Sequence, residues 1–285
     1  MSSNKLREHC REVARCDLAR QVLDGPLQDT TAEALACAPL ISAQLKAGRR
    51  TIQTGSLPWL IPEPWNGDLE NAEILFIGQN PAASHAEHYP NETWVNDDDV
   101  YRFFSERFGE EADLAPISFG TKVRLKDDGY AVANPFLSRV FEIATKILGR
   151  QPAPGVHYAI TEAVRCKATK ATGIDGALVN CATRYLSTTL ALSRAKIVVC
   201  LGARAHLAFE LAALGDDLKI ARSAEKVRQQ AELAMKARPK AKAFDWGDKK
   251  IAVITHPGAF GRAGMRPVPA WVAALGKFVD SSSRR

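Results

Sequence analysis

Two short polar motifs stand directly after apolar, β-branched runs of this sequence. Gly78-Gln79-Asn80-Pro81 follows the run EILFI, and His256-Pro257-Gly258 follows the run KIAVIT. The amide oxygen of Asn80 can hold a water molecule, although an amide cannot serve as a general base. The imidazole of His256 can donate a hydrogen bond to an oxygen that gains negative charge. These side chains could hold a water molecule and stabilise an anion, provided that the fold brings them together.

Four short, nearly continuous apolar runs predict parallel strands that are covered on both faces. They are Glu73–Ile77, Val156–Val164, Lys196–Leu201 and Lys250–Thr255. Segments with helical spacing lie between and after them: Phe136–Leu148, Ala177–Leu192, Ala203–Leu214 and Ala270–Phe278. This alternation predicts an α/β fold, doubly wound in three layers around a central four-stranded parallel sheet. Ligands of such sheets bind at the carboxyl ends of the strands, where both polar motifs lie.

The remaining segments predict one large domain with additions. Residues 1–50 form an N-terminal helical segment packed on the core, with helices over Lys5–Leu23 and Thr31–Ala47. Residues 51–285 form the α/β domain, in which 83–134 are polar and aromatic without a clear period and predict a loop-rich insertion. A hydrophobic content of 46% and a charged content of 25% exclude a disordered chain. We expect a soluble, cytoplasmic protein with no membrane partner, because no apolar run could span a bilayer.

The positive charge of the chain is local. The segment from Lys219 to Lys242 contains eight basic and two acidic residues. Their charges add up to +6, which is the net charge of the whole chain. This basic insertion, residues 217–249, directly precedes the last strand and so lies beside the predicted site. Its cations suit contacts with phosphates that do not depend on base sequence, although a charge run also occurs as a plain solvated face.

With these elements in place, the chain resembles the uracil-DNA glycosylase superfamily, and most nearly its iron–sulfur (family 4-like) branch. Gly78-Gln79-Asn80-Pro81 is similar to motif A of the superfamily. His256-Pro257-Gly258-Ala259-Phe260 is similar to motif B, a His-Pro loop after the last strand. Leu201-Gly202-Ala203 before a helix and the order of the four strands also match, so the resemblance extends roughly from Ala72 to Phe278.

The resemblance implies a DNA glycosylase of base excision repair that cleaves the N-glycosidic bond of uracil or a related deaminated base after flipping it out of DNA. Asn80 would hold the attacking water, and His256 would donate to a carbonyl oxygen of the leaving base. Because some families carry an aspartate at the position of Asn80, we expect slower chemistry than theirs. The partner would be single- or double-stranded DNA, and the chemistry would need neither a metal nor a nucleotide cofactor.

The resemblance also implies a base pocket and a DNA-contacting surface. The base pocket would be formed by Gly78, Gln79, Pro81, Ala82 and Glu162, with Phe119 or Tyr130 as the aromatic face on which the base stacks. The DNA contacts would come from Pro257, Gly258, Phe260, Arg262, Lys226 and Arg228. Phe260 would fill the space that the flipped base vacates.

Glu162 departs from the pattern of the family, which usually has an asparagine there to bind the amide edge of the pyrimidine. A carboxylate can accept from the N3–H of uracil, but it can donate to O4 only when it is protonated. Either burial protonates Glu162, or another residue reads the base, or the preferred base is not uracil.

Cysteine spacing provides a partial match to the iron–sulfur branch. Cys166 and Cys181 match the second pair of that branch, and Cys16 matches the end of the first, whose partner position holds Val13. The expected ligands of a structural [4Fe–4S] cluster are therefore Cys10, Cys16, Cys166 and Cys181. Cys37 is a further candidate, and the alternative is a lineage that has lost the cluster.

Two other functions stay open at this point. A non-catalytic member of the same fold would bind DNA or damaged sites through the same groove, and the types of residues 80 and 162 are compatible with it. A nucleotide-binding or hydrolytic α/β enzyme of another kind is disfavoured, because no glycine-rich phosphate loop follows the first strand.

Overall fold

The computed structural model describes residues 2–24, 30–46, 62–81, 96–108, 117–118, 121–125, 129–132, 134–168, 171–214, 229, 242–256 and 267–280. The elements of its first half are α1 (Ser2–Ala14), α2 (Asp17–Asp24), α3 (Ala32–Lys46), β1 (Ile74–Gly78), α4 (Asp97–Ser105), β2 (Ile117–Ser118), β3 (Lys122–Val123) and α5 (Pro135–Leu148). Those of its second half are β4 (Tyr158–Glu162), α6 (Ile174–Cys181), a π-helical turn (Ala182–Leu186), α7 (Ser187–Leu192), β5 (Ile197–Leu201), α8 (Ala203–Leu214), β6 (Lys242–Trp246), β7 (Lys249–Ile254), a 3-10 helix (Ala270–Leu275) and α9 (Gly276–Asp280).

The main sheet has five strands in the order β4-β1-β5-β7-β6. Its first four strands are parallel and confirm the predicted strands to within two residues at each end. β6 is an additional edge strand, antiparallel to β7. The sequence analysis predicted a four-stranded sheet and did not predict this fifth strand, which lies within the stretch that it described as the basic insertion. The turn Gly247-Asp248, with Gly247 at φ 58°, closes a two-residue hairpin, and this dipeptide is a recognisable hairpin signal.

Both faces of the sheet are covered, which makes three layers. Every residue of β1, β4 and β5 is buried. Leu75 and Ile77 contribute to one core, with residues of α1, α3, α6 and α8. Ile74 and Phe76 contribute to the other core, with residues of α5 and the C-terminal helices. Successive side chains of such a strand point into one core and then the other, so most positions are apolar, and this is why the runs were visible in the sequence.

Two helical predictions need correction. The segment predicted as one helix over 5–23 is divided into α1 and α2 at Arg15-Cys16. The segment predicted as loop-rich contains α4, which begins at a capping box of Asn96 and Asp99 and buries Phe103 and Phe104. A cap of that kind followed by buried positions on one face is sufficient to fix a short helix. None of the described helices combines the length and the apolar character that a membrane span requires.

Candidate functional site

A cavity of about 280 Å³ lies at the carboxyl ends of the parallel strands. Asn80 after β1, Glu162 at the end of β4 and His256 after β7 all line it. The predicted convergence of the first and last strand turns on one cavity is therefore present in the structure. This volume lies near the lower end of the range for small-molecule pockets, roughly 300–1,000 Å³, and suits one small ring system.

The side chain of Asn80 has a fixed orientation. Its Nδ2 donates to the carbonyl oxygen of Pro81 at 2.9 Å. Its Oδ1 accepts from Nε2 of Gln79 at 3.1 Å. An amide oxygen has two lone pairs, so Oδ1 can accept a second hydrogen bond from a water in the cavity. The arrangement thus suits Asn80 to hold a water but not to deprotonate it.

Gln79 is held from its other end by an ion pair. Nη1 of Arg204 donates to Oε1 of Gln79 at 3.0 Å. Arg204 is itself bound by both carboxylate oxygens of Asp175, at 2.6 Å from Nε and 3.0 Å from Nη2. The chain from Asp175 through Arg204 and Gln79 therefore positions Asn80, a function of the Gln79 side chain that the sequence analysis did not predict. The one available signal was a cation in the first turn of helix α8, where the helix dipole disfavours it.

His256 is packed between a glycine and an aromatic ring. A Cβ added to Gly202 would approach the Cβ of His256 to 2.8 Å, and Gly202 has a φ of +97°. The ring of Phe136 stacks on the imidazole with 6.0 Å between centroids and 29° between planes. Burial, followed by the positive charge of Arg204, lowers the pKa of His256 below its usual 6.5. The imidazole is therefore neutral at neutral pH and can donate one N–H into the cavity.

Among the described residues of the cavity wall, Phe136 supplies the aromatic side chain. The sequence analysis expected Phe119 or Tyr130 in that place. Tyr130 is 42% exposed and does not line the cavity, while Phe119 lies outside the described residues. Asn134 caps α5 through the backbone N–H of Phe136, so the helix start directs this ring. Phe136 was overlooked because it was counted only as part of a helix.

Glu162 is the most unusual group of the site. The residue is 6% exposed, and its Oε2 has no hydrogen-bond partner among the described residues. Its register partner in β1 is Gly78, and a Cβ there would overlap the carboxyl group in its present position, so the glycine leaves room for it. Burial, and then the negative charge of Glu63, raises the pKa of Glu162 well above its usual 4.5, against the smaller effect of Arg165. These surroundings favour the protonated form among the three alternatives for this position.

A buried ionic cluster adjoins Glu162. Glu63 pairs with Nη1 of Arg107 at 2.8 Å and with Nζ of Lys167 at 2.9 Å, and all three side chains are buried. Arg107 also donates to Oδ1 of Asn66 at 2.6 Å. Burial opposes ionisation of Glu63, but the two cations outweigh it and lower the pKa of its carboxyl group. Glu63, Asn66 and Arg107 line the cavity. Nothing local in the sequence marks them.

Four buried cysteines come from separate segments and lie close enough for their charges to interact. They are Cys16, Cys37, Cys166 and Cys181. Burial raises the pKa of the Cys166 thiol, and its neighbours Cys181, Cys16 and Cys37 raise it further. Burial, and then the negative charge of Asp97, raises the pKa of Cys10. The structure therefore groups the expected ligands Cys16, Cys166 and Cys181 with Cys37 of helix α3, the further candidate of the sequence analysis. In the part of the chain that the structure describes, no three His, Cys, Asp or Glu side chains are arranged to hold a single metal ion.

Several predicted residues lie outside the described part of the chain. They are Ala82 of the base pocket and the DNA-contact residues Lys226, Arg228, Pro257, Gly258, Phe260 and Arg262. Their functions remain predictions.

One comparison with known proteins gives a match. A family model described as the uracil DNA glycosylase superfamily matches residues 64–275. This span contains all four parallel strands, Asn80, Glu162 and His256. A search of curated proteins gives no match.

Proposed function

Because the chain belongs to the uracil-DNA glycosylase superfamily, we propose that it excises uracil or a related deaminated base from DNA. The supporting observation is that Asn80 and His256, from opposite ends of the matched segment, line the same cavity. The cavity is small enough for a single base, which must leave the DNA stack to reach it.

In the proposed reaction the bond between the sugar C1′ and the base nitrogen breaks, and its electron pair leaves with the base. A water held by Oδ1 of Asn80 forms the new bond to C1′ and releases its proton to solvent. His256 donates a hydrogen bond to the carbonyl oxygen on which negative charge collects. Protonation of the departed base completes the hydrolysis. Since Asn80 cannot accept the proton of the water, most of the rate enhancement must come from stabilising the leaving group.

The proposed function is tested by incubating the protein with uracil-containing single- and double-stranded oligonucleotides and cleaving the products with alkali. We expect release of free uracil, and in Asn80→Ala a rate lower by about tenfold, the value of one hydrogen bond of roughly 1.4 kcal/mol. The substitution Asn71→Ala, at an exposed residue before β1, serves as a control. Binding of the oligonucleotide without release of uracil would contradict the enzyme and favour the non-catalytic DNA-binding alternative.

We also propose that Cys16, Cys37, Cys166 and Cys181 hold a structural iron–sulfur cluster. Buried thiols from separate segments that influence one another suit such a cluster, which takes thiolates and is larger than one ion. Metal binding would deprotonate these thiols, although burial raises the pKa values of Cys37, Cys166 and Cys181. The cluster would fasten α3 and the segment before α2 to the core and would take no part in the hydrolysis.

The cluster is tested on anaerobically purified protein by its visible absorbance and its iron and sulfide content. We expect Cys37→Ala to lose the absorbance band and at least half of the iron, and Cys10→Ala to keep both. Loss of the cluster in Cys10→Ala but not in Cys37→Ala would contradict the proposal that Cys37, and not Cys10, is a ligand. Protein without iron in both variants and in the wild type would contradict the cluster itself.

A further inference from the structure

Glu162 places a buried carboxyl oxygen without a described partner at the wall of the cavity. Leaving a buried polar atom unpaired costs about 1–3 kcal/mol, so a bound molecule that supplied a partner would recover this cost. The strand partner Gly78 leaves space for the carboxyl group, which a Cβ at that position would overlap where it now lies. The local structure therefore accommodates the carboxyl group at a place where a bound base could contact it.

The charged groups around Glu162 discourage a second negative charge. Glu63 stands beside it as a carboxylate that Arg107 and Lys167 keep ionised. Arg165, four residues further along the chain, donates to the carbonyl oxygen of Pro64 and to the hydroxyls of Thr161 and Thr189. His256, which also lines the cavity, is neutral at neutral pH and adds no positive charge. Burial and the negative charge of Glu63 therefore outweigh the opposing charge of Arg165 and raise the pKa of Glu162 well above its usual 4.5, which favours the protonated form.

We propose that Glu162 determines base specificity as a neutral carboxylic acid, which donates its O–H to a ring carbonyl oxygen and accepts from the adjacent ring N–H. This inference rests on the proposed glycosylase function and names the feature that its substrate must present. Uracil has this pair of groups at O4 and N3–H, and deamination of cytosine creates it. An ionised carboxylate would accept only, so it would match the amino group of cytosine and repel O4 of uracil.

The variants Glu162→Gln and Glu162→Ala test the protonation state directly. A carboxamide has a donor and an acceptor like the neutral acid, but it cannot ionise. We expect Glu162→Gln to release uracil at pH 7 within about threefold of the wild-type rate, and Glu162→Ala to lose at least tenfold, the equivalent of one or two hydrogen bonds. The substitution Glu70→Gln, at a half-buried residue paired with the exposed Arg194, is the matched control.

A second measurement does not depend on activity. The raised pKa of Glu162 means that its contribution to stability is full below pH 4.5 and is lost as the pH rises through the raised value. When the pH is raised from about 5 to about 9, the urea midpoint of the wild type should therefore decrease relative to that of Glu162→Gln.

The outcomes separate this inference from the proposed function. Uracil release by the wild type, with Glu162→Gln as poor as Glu162→Ala, would overturn the neutral acid and leave the glycosylase intact. The neutral acid would also be overturned if the difference between the urea midpoints of the wild type and Glu162→Gln stayed the same at all pH values. Failure of the wild type to release uracil from any oligonucleotide would overturn the proposed function and the inference together.

Discussion

The substitution His256→Ala is expected to slow single-turnover release of uracil by about 100- to 1,000-fold, the usual cost of removing one donor to a developing anion. The effect should be large because Asn80 cannot supply general-base catalysis. Stabilisation of the departing base must therefore provide most of the reduction in the activation free energy. The stacked Phe136 and the close approach of Gly202 fix the position of the imidazole.

This result is measured with enzyme in excess over a uracil-containing single strand, so that binding and product release do not limit the rate. The matched control is His157→Ala, at the amino end of β4, where the ring accepts from the backbone N–H of Ala153. That variant should stay within about twofold of the wild type, because it lies at the opposite edge of the sheet from the cavity. A loss of less than tenfold in His256→Ala would show that another group carries the charge of the leaving base.

The substitution Glu63→Gln is expected to lower the free energy of unfolding by about 3–5 kcal/mol, because it removes the carboxylate that two buried cations share. Arg107 and Lys167 are almost completely buried and lie within 2.9 Å of that carboxylate. The lowered pKa of Glu63 also determines how its contribution to stability changes with pH. Its stabilisation is present above pH 4.5 and is lost as the pH falls through the lowered value.

The stability difference is measured from urea unfolding midpoints at pH 7. Glu70→Gln again provides the control, since its pair with the exposed Arg194 should contribute less than about 1 kcal/mol. If Glu63→Gln cannot be purified folded, Lys167→Met tests the same cluster, and it should cost less because Arg107 still balances the carboxylate. A change below about 1 kcal/mol in Glu63→Gln would show that the cluster is solvated and does not shape the cavity.

The sequence predicted the strands well because each parallel strand is buried on both faces. Most residues of such a strand are apolar, although β4 also buries Thr161 and Glu162, and this produces a short run that can be recognised locally. β6 lacked that mark, since it lies at the edge, where Ala243 and Asp245 are exposed. α4 was missed for a similar reason: its first turn is three consecutive aspartates, and its buried face is only one turn long.

The residues of the site also fall into those that the sequence predicted and those that it did not. The sequence by itself determined Asn80, Glu162 and His256, because each is attached to the end of a recognisable strand and parallel strands end at one edge of a sheet. Only the tertiary structure decided what surrounds them. The pairs between Arg204 and Gln79 and between Arg107 and Glu63 join residues 125 and 44 positions apart. In the same way, α3 brings the thiol of Cys37 near those of Cys16, Cys166 and Cys181. Contacts of this kind depend on which elements pack together, and such packing leaves no periodic pattern in the chain.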